Sequence, residues 1–221
     1  MHQKRRMQSI QTETLRIPVG DGTTMNGYLA RPAGAGPHPG LIVFQEIFGV
    51  NEHVRDVARR FAEQGYVALA PDLFHRFAPD YQGSYDDIPA SIAMTTKLVP
   101  QDLVADFKAT FEAISAHSAV KEGHVGAIGY CMGGGMAFAC NALVPLRAAV
   151  SYYGTPQPNI SLERRREVID LVRKNGKTFV DAEWAGANHG FFCDARSDYH
   201  ADSAKQAWSL TLAFLKTHLG G

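Results

Sequence analysis

The sequence lacks the features of a membrane protein, an exported protein or a nucleic-acid-binding protein. Purely apolar stretches such as Leu41-Ile42-Val43-Phe44 are far too short to span a bilayer. The basic N-terminal segment MHQKRRMQ is not followed by the apolar segment of a signal peptide. The 22 Lys and Arg residues balance the 22 Asp and Glu residues, so the charge gives no reason to expect a nucleic-acid or membrane partner.

Cysteine is also scarce. Cys131, Cys140 and Cys193 are an odd number of thiols without the spacing of a disulfide framework. Free thiols in a reducing compartment are the usual state of such cysteines, so we expect a cytoplasmic protein. A chain of 221 residues can bury a core without disulfides or metals. We therefore expect one domain over residues 1–221, with residues 1–10 as a flexible tail.

The chain alternates predicted strands with predicted helices. This order predicts an α/β fold with a mainly parallel sheet and helices on both faces. Residues 73–99 lack a clear period, and we predict that they form a lid or a substrate-binding excursion. The predicted strands are 12–19, 25–31, 41–46, 66–72, 124–130, 147–153 and 177–184, and the predicted helices follow Asn51 and Met132 and cover 101–117, 161–174 and 201–218.

The most informative motif is Gly129-Tyr130-Cys131-Met132-Gly133, between a predicted strand and a predicted helix. It has the G-x-S-x-G pattern of a nucleophile elbow, with Cys in place of Ser. Small residues are needed two positions either side of the nucleophile because the turn is sharp. Cys131 would sit at a helix N-terminus, where N–H groups and the dipole favour a thiolate. The Met132 N–H is placed to donate to an oxyanion.

A glycine-rich turn of this kind has two other interpretations. A dinucleotide-binding turn does not fit, because Gly126, Gly129 and Gly133 do not have the G-x-G-x-x-G spacing. Cys131 as a buried structural thiol stays open on the turn alone, since free cysteines are commonly buried.

A second motif, Ala185-Gly-Ala-Asn-His-Gly-Phe-Phe, supplies a candidate base. In α/β-hydrolases the nucleophile precedes the acid and the histidine comes last, and His189 lies in that place. Cys193 follows His189 by four residues, which is the spacing of a metal pair on a helix. The Gly-Phe-Phe context is not helical and a third ligand is missing, so we expect no metal and no cofactor.

Together these motifs resemble the dienelactone hydrolase (carboxymethylenebutenolidase) family of the α/β-hydrolase superfamily, over most of the chain. Cys at the elbow and QEIFG after the third strand are specific in combination. The matching segments are Gln45-Glu46-Ile47-Phe48-Gly49-Val50-Asn51, Ala70-Pro71-Asp72-Leu73-Phe74, Gly129-Tyr130-Cys131-Met132-Gly133-Gly134, Tyr152-Tyr153-Gly154 and Gly186-Ala187-Asn188-His189-Gly190-Phe191.

The resemblance implies a role for each matching residue. Cys131 would attack an ester or lactone carbonyl, and His189 would act as general base and then as acid. The Ile47 and Met132 N–H groups would form the oxyanion hole. Glu46 would be the carboxylate near the resting thiol that helps to convert it to thiolate when substrate arrives. The family binds a substrate carboxylate through arginines, for which Arg76 and Arg196 are the candidates.

The resemblance breaks after Tyr152-Tyr153-Gly154. The family has a further strand there, followed by the loop with the triad Asp, and roughly 15–25 residues of such elements are missing here. Either the protein lacks this segment, or the sequence omits residues that the protein has. In the first case, strand 177–184 would shift by one strand position, about 4.8 Å, into the vacated slot. Asp181 and Asp194 do not lie where the family places its acid, so we assign no triad acid.

Three functions follow from these residues. The first is a hydrolase that opens a lactone or small ester through an acyl-cysteine intermediate. The second is a catalytically impaired α/β-hydrolase-fold protein that binds a ligand or partner, because the acid-bearing segment is missing. The third, a redox-sensing thiol protein, needs a resolving cysteine near Cys131, and Cys140 lies nine positions away in the same predicted helix.

Overall fold

The fold is built on one six-stranded sheet with the strand order β1-β2-β4-β3-β5-β6. The computed structural model describes residues 9–154 and 180–220, and between these ranges residues 166, 167, 170–172, 174, 176 and 178. The strands are β1 (Ile10–Pro18), β2 (Thr24–Pro32), β3 (His38–Phe44), β4 (Val67–Pro71), β5 (Val120–Tyr130) and β6 (Ala148–Tyr152). β1 and β2 are antiparallel to their neighbours, and β4, β3, β5 and β6 are parallel.

The helices are α1 (Glu52–Glu63), α2 (Ile88–Thr95), α3 (Pro100–Ser115), α4 (Met132–Leu143) and α5 (Ala201–Leu219). Asn51 caps α1 as predicted, because its side chain accepts a hydrogen bond from the Val54 N–H. None of the described helices is both long and apolar enough to cross a lipid bilayer.

Alternate residues of the central strands feed two separate cores. Leu41 and Val43 of β3 pack with α1 and α5 on one face of the sheet. Ile42 and Phe44 pack with α3 and α4 on the other face. Both faces of the parallel strands are therefore covered, which explains why these strands are continuous apolar runs in the sequence. The predicted α/β layering is confirmed.

Two elements differ from the sequence prediction. The excursion between β4 and α3 is not wholly irregular, because it contains the short helix α2, which begins after the Asp87 cap. The predicted strand 177–184 is wrong for the residues described, since 178 and 180–184 are not in a strand. Val180 is 52% exposed, whereas Trp184 at the end of the segment packs against the core without forming a strand. The predicted helix 161–174 lies mostly outside the described residues, although 166, 167, 170–172 and 174 are helical.

Candidate active site

The site lies at the carboxyl ends of the parallel strands, where β5 turns into α4. Cys131 caps α4 with φ 56° and ψ −123°, a conformation that non-glycine residues rarely adopt. Its N–H donates to the Tyr152 carbonyl oxygen at 3.1 Å, and its own carbonyl accepts from the Gly134 N–H at 3.0 Å. The structure thus holds Cys131 in the strained turn of a nucleophile elbow.

The glycines of the motif are required by backbone contacts. A Cβ on Gly129 would lie 1.8 Å from the Gly133 carbonyl oxygen. A Cβ on Gly133 would lie 2.5 Å from the carbonyl oxygens of both Phe44 and Gln45. The first glycine lets the chain reverse direction, and the second lets α4 approach the end of β3. The predicted reason for these glycines is confirmed.

The surroundings of the Cys131 sulfur favour its protonated form. Burial has the largest effect on the pKa of Cys131, and the neighbouring Glu46 carboxylate acts in the same direction. Together they raise this pKa to about 11. Hydrogen bonds from the Met132 and Ile47 N–H groups to the sulfur, together with the Arg196 charge, lower the pKa but do not outweigh these effects. Burial and a like charge thus outweigh the effect of the helix N-terminus, and the conversion of the resting thiol to a thiolate when substrate arrives stays a prediction.

The Met132 and Ile47 N–H groups converge on the sulfur from two elements. Met132 opens α4, and Ile47 lies in the loop that follows β3. Both groups can bond the sulfur, which brings two backbone donors to the Cys131 thiol. Two backbone donors at a nucleophile are the arrangement that stabilises the oxyanion of a tetrahedral intermediate.

Glu46 is a fully buried carboxylate beside this thiol. Neither of its oxygens has a hydrogen-bond partner of good geometry within the described part of the chain. Its nearest cation is the Arg196 guanidinium, whose Nη1 lies 3.9 Å from Oε1. Burial raises the pKa of Glu46 to about 7, against the opposing effects of Arg196 and the Tyr153 hydroxyl. Glu46 is thus a base with a pKa near neutrality.

Arg196 faces several site residues at once. Besides its approach to Glu46, its Nη2 lies 3.6 Å from Oδ2 of Asp198. The guanidinium carbon lies 5.9 Å from the ring centroid of Phe48. Its positive charge lowers the pKa values of Cys131 and His189. These contacts are loose, so the guanidinium keeps donors for a bound anion.

Arg76 lies in a different environment. Its guanidinium donates to both oxygens of Asp106, at 2.8 and 2.9 Å, and to Asp21. Asp106 is fully buried and is also 3.1 Å from the His75 ring. These bonds tie the start of the excursion after β4 to α3. The structure does not bring Arg76 to Cys131, and a role for it in substrate binding stays a prediction.

His189 lies in the loop before α5, at the edge of the site. Its ring is exposed on one side and lies 5.0 Å from the Tyr153 ring, centroid to centroid. Partial burial lowers the pKa of His189, and Arg196 acts in the same direction, whereas Asp198 raises it. Among residues 9–154 and 180–220, no hydrogen bond joins His189 to the Cys131 thiol. Catalytic hydrogen bonds often form only when substrate binds, and the role of His189 as the base for Cys131 stays a prediction.

Sequence reasoning missed several polar residues around Glu46. Tyr153 follows β6, Tyr85 comes from the excursion after β4, and His53 lies in the first turn of α1. His53 precedes Val57 by four residues and so shares the buried stripe of α1, a signal that could have found it. Burial lowers the pKa of His53 to about 4. Asp194, a possible substitute for the triad acid in the sequence, instead lies where its charge raises the pKa of His53.

The buried charge of Glu46 predicts a pH-dependent cost to stability. Its folded-state pKa, about 7, is above the usual value of 4.5, so folding favours the protonated form. The cost is absent below pH 4.5 and complete above pH 7. We expect Glu46→Gln to raise the free energy of unfolding by about 1–3 kcal/mol at pH 8 and not at pH 4. Urea unfolding at both pH values measures this, with exposed Glu122→Gln as control, and an equal gain at both would contradict it.

The comparisons with known proteins agree with this geometry. The model of the "Dienelactone hydrolase family" matches residues 25–169 and 158–219. A protein of Synechocystis described as a "Putative carboxymethylenebutenolidase" is 33% identical, covering 95% of this chain and 98% of its own. An Escherichia coli protein of the same description is 31% identical, covering 90% and 84%.

Solved structures show the same relation. The crystal structure of a "Putative Dienelactone Hydrolase" from Klebsiella pneumoniae superposes with a TM-score of 0.82 at 29% identity, covering 94% of this chain and 98% of that one.

The two family-model matches meet where the resemblance in sequence breaks. They overlap at residues 158–169, close to the point at which the acid-bearing segment is expected. The alignment with the Synechocystis protein extends over 247 residues, more than the 221 of this chain, so the relative has additional residues within it. The family match nevertheless spans most of the chain on both sides of the break. The chain belongs to the dienelactone hydrolase family, a family of carboxylic ester hydrolases with the α/β-hydrolase fold.

Proposed function

We propose that this protein hydrolyses a lactone or a small carboxylic ester through an acyl-cysteine intermediate on Cys131. The observation that carries the proposal is the strained elbow at Cys131, with the Met132 and Ile47 N–H groups at its sulfur. A nucleophile with two convergent backbone donors is the arrangement that acyl transfer requires. No metal or other cofactor takes part in this scheme, and we place the reaction in the cytoplasm.

The first step has to convert the resting thiol into a thiolate. Glu46 is the base that adjoins the thiol, and its proton affinity is held down by Arg196. A substrate carboxylate that binds Arg196 neutralises this cation, so the pKa of Glu46 rises and it takes the Cys131 proton more readily. The substrate would in this way activate the nucleophile that attacks it, and water alone would leave the thiol protonated.

The acyl transfer then follows from the groups at hand. The Cys131 thiolate attacks the carbonyl carbon, and the Met132 and Ile47 N–H groups stabilise the oxyanion. The C–O bond of the ester or lactone breaks, and the leaving oxygen takes the proton that Glu46 received from Cys131, relayed through His189 as general acid. Water next attacks the thioester, gives its proton to His189, and releases the acid and the Cys131 thiolate.

The experiment that tests the mechanism is intact-mass analysis during turnover of an aryl ester. We expect a mass increase equal to the acyl group, located on the peptide that contains Cys131. His189→Ala should lengthen the life of this adduct because deacylation loses its base. Turnover without any adduct on Cys131, in either protein, would contradict the mechanism.

The arginine that binds the substrate carboxylate can be identified by comparing two variants. We expect Arg196→Gln to raise KM for a carboxylate-bearing ester about 10- to 100-fold, the effect of one hydrogen bond to a charged group. KM for the matched neutral ester should change little. Arg76→Gln serves as the paired variant, since its guanidinium is bound to Asp21 and Asp106. A selective rise in KM for Arg76→Gln alone would assign the role to Arg76 instead.

Two observations favour the second candidate function, a hydrolase-fold protein that binds a ligand without turning it over. His189 is not hydrogen-bonded to Cys131, and the family match breaks where the acid-bearing segment is expected. An imidazole without an orienting acid can cost on the order of 10⁴ in turnover. Binding of a carboxylate-bearing ester without formation of any acyl adduct would support this function over the first.

A further inference from the structure

Three buried side chains next to the elbow form a cluster that the hydrolytic mechanism does not use as a set. Glu46 follows β3, His53 lies in α1, and Cys193 lies in the loop after His189. One ligand atom from each, a carboxylate oxygen, an imidazole nitrogen and Sγ, lie within 4.8 Å of one another, and all three residues are buried.

These donor atoms are largely unsatisfied. Both oxygens of Glu46 and Nε2 of His53 have no hydrogen-bond partner of good geometry among the described residues, although Arg196 and the Tyr153 hydroxyl lie near Glu46. Their side chains are 0% and 7% exposed, so water does not readily replace the missing partners. Buried polar groups without partners are rare in proteins, and one explanation for them is an ion that they bind.

From these contacts we propose that Glu46, His53 and Cys193 form a binding site for one zinc-like divalent cation. A mixed set of thiolate, imidazole and carboxylate fits Zn²⁺, whereas Mg²⁺ and Ca²⁺ require oxygen ligands. Ligand atoms around a tetrahedral zinc are about 3.5 Å apart, so each pair of these ligand atoms, now within 4.8 Å, would have to approach by up to about 1.3 Å. The fourth position belongs to water.

The charge and hydrogen bonds around the cluster suit a dication. The carboxylate and the thiolate together carry two negative charges, which the cation neutralises in a buried site. Binding displaces the proton of the Cys193 thiol, which in the free protein donates to the Tyr85 hydroxyl at 3.3 Å. Tyr85 also accepts from Asn51 Nδ2 at 2.9 Å, so its own O–H remains available to donate to the thiolate. Such a partner behind a ligand is typical of metal sites.

The absence of a metal expected from the sequence rests on a different pair, His189 and Cys193, which lacks a third ligand in its own segment. The structure instead joins Cys193 to Glu46 and His53, which come from two other elements.

If the proposed hydrolytic mechanism holds, occupation of this site inhibits the enzyme. A cation bound to Glu46 would prevent this carboxylate from taking the Cys131 proton. Zinc would thus act as an inhibitor, and removal of zinc by a chelator would restore activity.

Metal binding itself is measured without reference to activity. We expect equilibrium dialysis of the full chain against micromolar Zn²⁺ to give one bound ion per chain by elemental analysis. Cys193→Ser and His53→Gln should each weaken binding about 100-fold or more, above the loss usual for a partner behind a ligand. Cys131→Ser and Cys140→Ser are the matched controls and should still bind one ion.

A spectroscopic measurement avoids reliance on the buried variants. Co²⁺ bound in place of zinc should give thiolate-to-cobalt charge-transfer absorption in wild type and in Cys131→Ser alike but not in Cys193→Ser, which identifies Cys193 as the ligand. Loss of this absorption and of the bound ion in Cys131→Ser would overturn the site, as would the absence of binding to wild type. Because neither readout involves turnover, failure of the hydrolytic mechanism leaves the result interpretable.

Discussion

Replacement of Cys131 by Ala is expected to lower the turnover of an aryl ester or dienelactone by at least about 10⁴-fold, the usual loss when a covalent nucleophile is removed. The proposed acyl intermediate forms on the Cys131 sulfur, to which the Met132 and Ile47 N–H groups are hydrogen-bond donors. Steady-state kinetics with the purified variant measure the loss.

Cys140→Ala is the matched control for this substitution. Cys140 is a fully buried thiol in the same helix, packed in the core between the sheet and α3, and we expect its removal to leave turnover nearly unchanged. Turnover of Cys131→Ala within tenfold of wild type would refute the assignment of the nucleophile.

The second large effect is expected at the glycines of the elbow. A Cβ at position 133 would lie 2.5 Å from two backbone carbonyl oxygens at the end of β3. Backbone cannot rotate away as a side chain can, so α4 would have to move from the sheet. We expect Gly133→Ala to lower the free energy of unfolding by about 3 kcal/mol or more and to abolish activity. Denaturant unfolding and ester hydrolysis measure the two effects.

Gly20→Ala provides the control, because a Cβ there meets no atom within 4 Å and its φ is not in the left-handed region. We expect its unfolding midpoint to stay near that of wild type. Equal midpoints for Gly133→Ala and Gly20→Ala would show that the approach of α4 to β3 is not as close as the structure has it.

The sequence predicted the sheet well because its central strands carry an unambiguous signal. β3 and β4 are buried on both faces and therefore read as apolar runs, and Asn51 marks the start of α1. The strand predicted over 177–184 is wrong for the described residues because a β-like composition indicates only a preference for extended backbone. A strand also needs a neighbouring strand, and the composition of one segment does not reveal whether a neighbour is present.

The candidate site was predictable where local geometry dictates residue type. Gly129, Cys131 and Gly133 are fixed by a single turn, so their spacing reveals them. The protonation state of Cys131 depends on Glu46, 85 positions earlier in the chain, and on burial that no local pattern shows. His53 and Cys193 likewise meet at Glu46 only through the tertiary fold.

The aromatic packing beneath the His189 loop has a practical consequence. Phe192, three residues after His189, stacks on Trp208 of α5 with ring centroids 5.9 Å apart, and Arg60 lies over both rings. Indole emission responds to a nearby cation and to solvent, so Trp208 reports optically on whether this loop is seated. The only other tryptophan is Trp184, and Trp184→Phe leaves a single-tryptophan protein. Stopped-flow fluorescence of that variant would then time loop movements during a catalytic cycle.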